Sequence, residues 1–226
     1  MSHDDFEIEP IPGLPANLPK GEHIVWQGKP DRGTFARVVL HERKIVLYFL
    51  LLIGWKFGTG IYDGETFAQS LYTASTLALG AFIVIGLIRL YAKAVAKTTV
   101  YTITNKRIVM RFGVALPVTF NFPFAQITEA NLKQVQDDKG TISLGLKEHT
   151  KVSWLILWPH VRPWKLAHPQ PSIRLVSDVQ EVAILLQQNL SKFHESSNPV
   201  TRIVRVEDKP TVDAIPSVSD LGKQGA

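Results

Sequence analysis

Leu71 to Ile88 reads LYTASTLALGAFIVIGLI, eighteen consecutive residues without a charged side chain. Crossing about 30 Å of hydrocarbon takes roughly 20 helical residues at about 1.5 Å each, so this stretch predicts a transmembrane helix. Burying it in a soluble core would need a larger protein than 226 residues. A second apolar run lies upstream, where Ile45 to Trp55 (IVLYFLLLIGW) is followed by Lys56 and then by the apolar Phe57 to Tyr62. A helix over about 45–62 brings Lys56 within reach of the far interface, where its stem lies along apolar surface and its ammonium stays wet. Trp55 and Tyr62 suit that interface as amphipathic anchors. A helix lying flat on the bilayer needs a polar face, which this segment lacks. Asp63 to Ser70 (DGETFAQS) is a short polar connection, so helices of about 45–62 and 71–92 are expected to form a hairpin within residues 41–96.

Charge placement gives the hairpin an orientation. The chain carries +5 overall with a pI near 9.4. Arg32, Arg37, Arg43 and Lys44 precede the first helix, Arg89, Lys93 and Lys97 follow the second, and no Lys or Arg lies between Phe57 and Ile88. The positive-inside rule then puts both termini in the cytoplasm and the connection outside. Topology accounts for much of the basic charge, so no nucleic-acid partner is expected. Arg43, Lys44, Arg89, Lys93 and Lys97 are placed to meet anionic lipid headgroups, as are Lys106, Arg107 and Arg111 in the soluble part; plain juxtamembrane charge is the simpler reading. The acidic, proline-bearing residues 1–20 lack the basic and apolar regions of a signal peptide and are expected to remain uncleaved. The sequence holds no cysteine, which excludes disulfides, thiolate metal sites and a cysteine nucleophile.

Two features lie inside the hairpin. Gly54 and Gly58 make a G-x-x-x-G spacing that lets another helix approach closely; contact between the chain's own two helices is the expected use, with a partner helix or a second copy as the alternative. Neither apolar stretch contains a histidine, since His41 precedes the first among charged residues. Direct ligation of a haem or chlorophyll by the helices is therefore not expected.

After Lys97 the pattern changes to short strands. Thr99–Thr104 and Arg107–Phe112 are rich in β-branched and aromatic residues around an Asn105-Lys106 turn. Leu116–Pro123 alternates, with prolines that point to an edge strand. Thr141–Lys147 alternates after the turn signal Asp137–Gly140, and Val152–Trp158 is a near-continuous apolar run read as a covered strand. Ser177 with Gln180 predicts a capping box opening a helix whose Val179, Val182, Ala183, Leu186, Leu190 and Phe193 share one face. Residues 195–226 are rich in Ser, Pro and charge and predict a mobile tail. Before the hairpin, His23–Gly28 reads as a strand that cannot stand alone and so joins the later sheet. The predicted class is an α+β membrane protein. One sheet domain, built from 21–40 and 97–194 and closed by a C-terminal helix, is interrupted by the hairpin, as in a pleckstrin-homology (PH) fold.

Particular segments carry a family resemblance. Gly21-Glu22-His23-Ile24-Val25-Trp26-Gln27-Gly28-Lys29-Pro30 resembles the opening of bacterial PH-like membrane proteins, and Thr99-Val100-Tyr101-Thr102-Ile103-Thr104-Asn105-Lys106-Arg107-Ile108 resembles the motif after their hairpin. Gly113-Val114-Ala115-Leu116-Pro117-Val118-Thr119, Leu157-Trp158-Pro159-His160-Val161-Arg162-Pro163-Trp164 and Pro12-Gly13-Leu14-Pro15 are similar to the PuhB-type photosynthetic complex assembly proteins of purple bacteria. The resemblance covers about residues 5 to 194. It implies a non-enzymatic accessory role in the inner (intracytoplasmic) membrane, helping to assemble the reaction centre–light-harvesting 1 core complex. The implied partners are reaction-centre and light-harvesting 1 subunits or other assembly factors. The alternative is a general membrane-anchored PH-like module that binds lipid or a protein partner.

The remaining chemistry is sparse. Trp158, His160, Arg162 and Trp164 fall in one proline-bounded loop, read either as packing of the tryptophans on the domain or as an exposed Trp/Arg interface patch. His149, His160 and His168 lack metal-ligand spacing. Ser153 and Ser172 have no base or glycine elbow nearby, and neither a phosphate-binding loop nor a dinucleotide fingerprint is present. No catalytic residue, metal or cofactor is expected.

Overall fold

The computed structural model describes residues 11–136, 138–147, 150, 152–195 and 202–205, the last four by backbone alone. A first strand, β1 (Ile24–Gly28), leads through Pro30 into a short helix, α1 (Arg32–Val38), and the two long helices α2 (Glu42–Tyr62) and α3 (Phe67–Thr98). Strands β2 (Val100–Thr104), β3 (Arg107–Phe112) and β4 (Val118–Pro123) follow, then β5 (Ile127–Gln136) and β6 (Lys139–Leu146). A single helical turn α4 (Trp154–Leu157), strand β7 (Ser172–Val176), helix α5 (Val179–Glu195) and a short strand β8 (Arg202–Arg205) complete the chain.

The strands make two four-stranded sheets, in the orders β1-β2-β3-β4 and β7-β6-β5-β8. β1 pairs antiparallel with β2, although α1, α2 and α3 lie between them in sequence. The hairpin is thus an insertion between neighbouring strands of one sheet. Asn105 fastens this junction, because its side chain accepts from the His23 N–H (3.1 Å) and donates to the Gly21 carbonyl (3.0 Å). Arg107 adds a 2.7 Å ion pair to the buried Glu22 carboxylate. The sheets and α5 enclose one core, in which Tyr101, Ile103, Ile108, Met110, Phe122, Phe124, Ile142, Leu144 and Ile173 meet Val179, Val182, Leu186 and Leu190 of α5.

Several elements differ from the sequence expectations. α3 starts at Phe67, inside the predicted connection, because Thr66 and Gln69 form a reciprocal capping box. It runs past 92 to Thr98 because Ala92 and Val95 bury against Phe35 and Ala36 of α1 and Leu175 of β7. Leu175 reaches that cluster from a left-handed backbone (φ 52°), beside an irregularity in the β6–β7 register, and its carbonyl accepts the Asp31 N–H at 2.8 Å. Val152–Trp158 is not a strand. The place beside β6 is taken by β7, so the run folds as a turn that buries Leu157 and exposes Leu155 and Ile156. At α5 it is the Asp178 carbonyl that accepts the Val182 N–H (3.1 Å), and Gln180 reaches Gln134 (2.9 Å), so the predicted Ser177–Gln180 box gives way to a start one residue later. Within the predicted mobile tail, Arg202–Arg205 adds a strand parallel to β5; the rest of 196–226, His149 and residues 1–10 lie outside the described residues.

Candidate functional site

α2 and α3 are long and apolar enough to cross a membrane by length and composition, and hardly any of either apolar window is buried within the protein. They touch each other through small side chains. Gly60, Ser70, Ala74 and Ala81 are buried at the contact, Ser70 Oγ donates to Glu65 Oε2 (3.1 Å), and Phe57 meets Phe67 edge to face. A methyl group placed on Gly54 or Gly58 meets no atom within 4 Å. The G-x-x-x-G spacing therefore does not serve the chain's own hairpin, contrary to expectation. It lies open on α2. At the same end, Lys56 Nζ stands 4.0 Å from Glu65 Oε1, so its ammonium has a carboxylate beside the connection.

The Trp158–Trp164 loop separates into an inner and an outer part. His160 is 1% exposed and lies under the first sheet, stacked at a tilt 4.6 Å from Phe112. Its Nδ1 is 2.6 Å from Tyr101 Oη and its Nε2 is 3.3 Å from Thr99 Oγ1. Burial, with the Arg174 guanidinium adding to it, pushes the imidazole down to about 3, so the ring is neutral. Burial pushes the Tyr101 phenol up, opposed by a backbone hydrogen bond from Arg174. In the neutral ring one nitrogen donates and the other accepts, so the single imidazole satisfies both the Tyr101 and the Thr99 hydroxyls. Burial also lowers the Arg174 guanidinium, which donates to the Pro159 carbonyl at 2.9 Å. His160 is thus a core histidine, not part of a surface patch.

The tryptophans do face outward. Trp164 is 92% exposed and Trp158 46%, and Leu155, Ile156 and Leu166 of the same segment are exposed as well. Trp158 also stacks on Tyr91 of α3 (centroids 6.2 Å apart, 19° between planes), which sets the loop against the hairpin's charged end. Arg162 is held back, its Nη1 donating to Gln170 Oε1 at 3.0 Å. Of the two readings of this loop, neither holds whole: Trp164 is presented to the outside, Trp158 is partly packed on Tyr91, and the arginine is turned to the scaffold.

At that end of the hairpin the structure assembles a cleft of about 620 Å³. Arg32, Gly33, Ala36 and Arg37 of α1 form one wall, and Gly86, Arg89, Leu90, Ala92 and Lys93 of α3 the other, with Glu42 at the base. Glu42 is buried and pairs with Arg89 at 2.7 Å. Asp31 caps α1 by accepting from the Thr34 N–H (2.9 Å) and hydroxyl (2.6 Å). Burial alone would raise the Asp31 carboxyl, but bonds from Thr34 and Lys139 hold it down at about 2. Of the five predicted headgroup residues, Arg89 and Lys93 line this cleft, whereas Arg43, Lys44 and Lys97 do not. Arg32 and Arg37 were legible only as topology charges, although Asp31 ahead of Thr34 is a cap signature that places them on one short helix. Among the described residues no three His, Cys, Asp or Glu side chains gather as a metal site.

An apolar hairpin inserted into an antiparallel domain closed by a C-terminal helix defines a PH-like architecture with two candidate membrane spans. Residues 48–190 match the bacterial PH domain family, and the chain belongs to that family. The match takes in most of the hairpin, strands β2 to β7 and most of α5, while β1 and β8 lie outside it. The chain is 40% identical over 191 residues, 83% of its length and 88% of the relative's, to an uncharacterized 23.7 kDa protein in the puhA 5′ region of Rhodobacter capsulatus. No solved structure matches it.

Proposed function

We propose that this chain is a non-enzymatic, two-span inner-membrane factor that assists assembly of the reaction centre–light-harvesting 1 core complex, with both termini cytoplasmic. The observation that carries the membrane half of this reading is the hairpin itself, whose apolar surface is left almost wholly uncovered by the rest of the protein. Such a surface is stable in lipid or against other apolar helices, and costly in water. The Gly54/Gly58 face offers a close approach to a partner helix, and the Trp158/Trp164 surface offers aromatic anchors to a partner's cytoplasmic segment. The choice of photosynthesis rests on two supports: the relative's place beside puhA and the resemblance of the Leu157–Trp164 segment to PuhB-type proteins.

The test is deletion of the gene in its phototrophic host. Core-complex absorbance in the near infrared should fall while non-photosynthetic growth is kept. A normal spectrum, with or without an envelope defect, overturns the assembly reading.

A further inference from the structure

We propose that the cleft between α1 and the cytoplasmic end of α3 is a binding site for one anionic phospholipid. Its phosphate would lie among Arg32, Arg37 and Lys93, and its acyl chains would run down past Leu90 and Gly86. This rests on the membrane reading of α2 and α3 but not on the assembly role.

Three observations converge. The first is depth. The uncharged stretch ends at Ile88 and Arg89 follows, so the cleft straddles the level where hydrocarbon gives way to headgroups. α3 has 32 residues, about 48 Å of helix, and its surplus length stands on the cytoplasmic side. The second is charge. Four cations and one carboxylate line the cleft; Glu42 is engaged by Arg89, and Arg32, Arg37 and Lys93 have no carboxylate partner among the described residues. Three uncompensated cations over an anionic leaflet attract a phosphate diester. The third is construction. Arg37 Nε is held by the Gly33 carbonyl (3.1 Å), α1 is anchored by the fully buried Phe35, and Arg89 is oriented by Glu42. The wall is therefore preorganised, while the lower rim at Gly86 and Leu90 is apolar and opens toward the lipid tails.

The experiment uses the full chain purified in mild detergent and reconstituted in phosphatidylcholine nanodiscs containing a minority of phosphatidylglycerol. Lipids retained after re-extraction are measured by native mass spectrometry. The wild type should keep one phosphatidylglycerol in preference to phosphatidylcholine. Each of Arg32→Gln, Arg37→Gln and Lys93→Gln should lower that retention about fivefold, the equivalent of about 1 kcal/mol per basic group near an anionic surface. The pair Arg43→Gln/Lys44→Gln, outside the cleft, should leave it unchanged. Equal loss in that control, or no loss in the cleft variants, overturns the proposal. So does full displacement by glycerol phosphate, which would make the site one for a soluble phosphate. Failure of the protein to float with vesicles in a sucrose gradient would instead refute the membrane reading on which the proposal stands, and a normal near-infrared spectrum in the deletion strain would leave the lipid site untouched.

Discussion

Replacing His160 by glutamine should leave a folded protein that has lost one particular acid sensitivity. His160 sits at about 3 in the fold and at its ordinary 6.5 when unfolded. Between those values the unfolded chain binds the proton and the native one does not, so stability falls as pH drops below about 6.5 and the loss continues until about pH 3. At pH 5 the gap from 6.5 is about 1.5 units, which at 1.36 kcal/mol per unit makes a loss of about 2 kcal/mol relative to pH 8. Asp31 works in a separate, lower window, losing its contribution only as pH falls from the ordinary carboxylate range toward its depressed value of about 2. Glutamine keeps one donor and one acceptor for the Tyr101 and Thr99 hydroxyls but cannot take the proton. The variant should start about 1–2 kcal/mol less stable from lost packing against Phe112, with a nearly flat profile between pH 8 and 5. The assay is urea unfolding of the full chain in micelles, followed by tryptophan fluorescence at each pH. An equal pH slope in His160→Gln and wild type would refute the assignment, as would a flat wild-type profile.

Three further outcomes concern the hairpin and the tryptophan loop. A side chain at Gly60 would meet Ser70 Oγ at 2.5 Å and Glu65 Oε2 at 2.6 Å, so Gly60→Val should loosen the hairpin and lower the thermal midpoint in micelles. A Cβ at Gly54 meets nothing within 4 Å, so Gly54→Leu should leave the midpoint unchanged while reducing co-purification of core-complex subunits; unchanged co-purification would remove Gly54 from the proposed partner surface. Trp164→Ala should alter stability by less than about 0.5 kcal/mol, as expected at so exposed a position, yet weaken capture of a partner from photosynthetically induced membranes. A large stability loss would mean that Trp164 is packed rather than presented.

The parts of this fold that declare themselves in sequence are those governed by local periodicity. The eighteen uncharged residues, the alternation in β3 and β4 and the single apolar face of α5 each follow from one element's own pattern. The misread parts depend on what lies next to them in space. Val152–Trp158 has strand composition, but its place at the sheet is occupied by β7, and no local signal reports that. β5 escaped because its buried Ile127, Ala130 and Leu132 are interrupted by Glu129, Asn131 and Lys133 without a strict apolar rhythm. His160 looked like a loop residue among prolines and arginine, and only the arrival of Tyr101, Thr99 and Phe112 from distant strands makes it a core group. Gly54 and Gly58 stand out by spacing, but spacing does not say whether their face meets the chain's own second helix, and here it does not.

On the proposed membrane reading, the inserted hairpin also fixes how the domain stands over the bilayer. α3 ends at Thr98 and β2 begins at Val100, so one residue, Thr99, joins a candidate membrane span to an inner strand of the first sheet. That residue is buried and hydrogen-bonded to His160, and Tyr101, two residues on, is the ring's other partner. On the other side, β1 passes to α2 through α1, whose Phe35 packs with Ala92 and Val95 of α3. Neither connection has the Gly/Ser-rich length that lets a domain swing on a linker. A tilt of the hairpin must therefore move β2 or break the cluster around Phe35, and Trp158, stacked on Tyr91, moves with it. On that reading the Trp164 surface is held at a constant height above the membrane. Under the proposed function, fixed height would favour recognition of a partner's short juxtamembrane segment, because it removes most of the orientational search that a tethered domain would have to make.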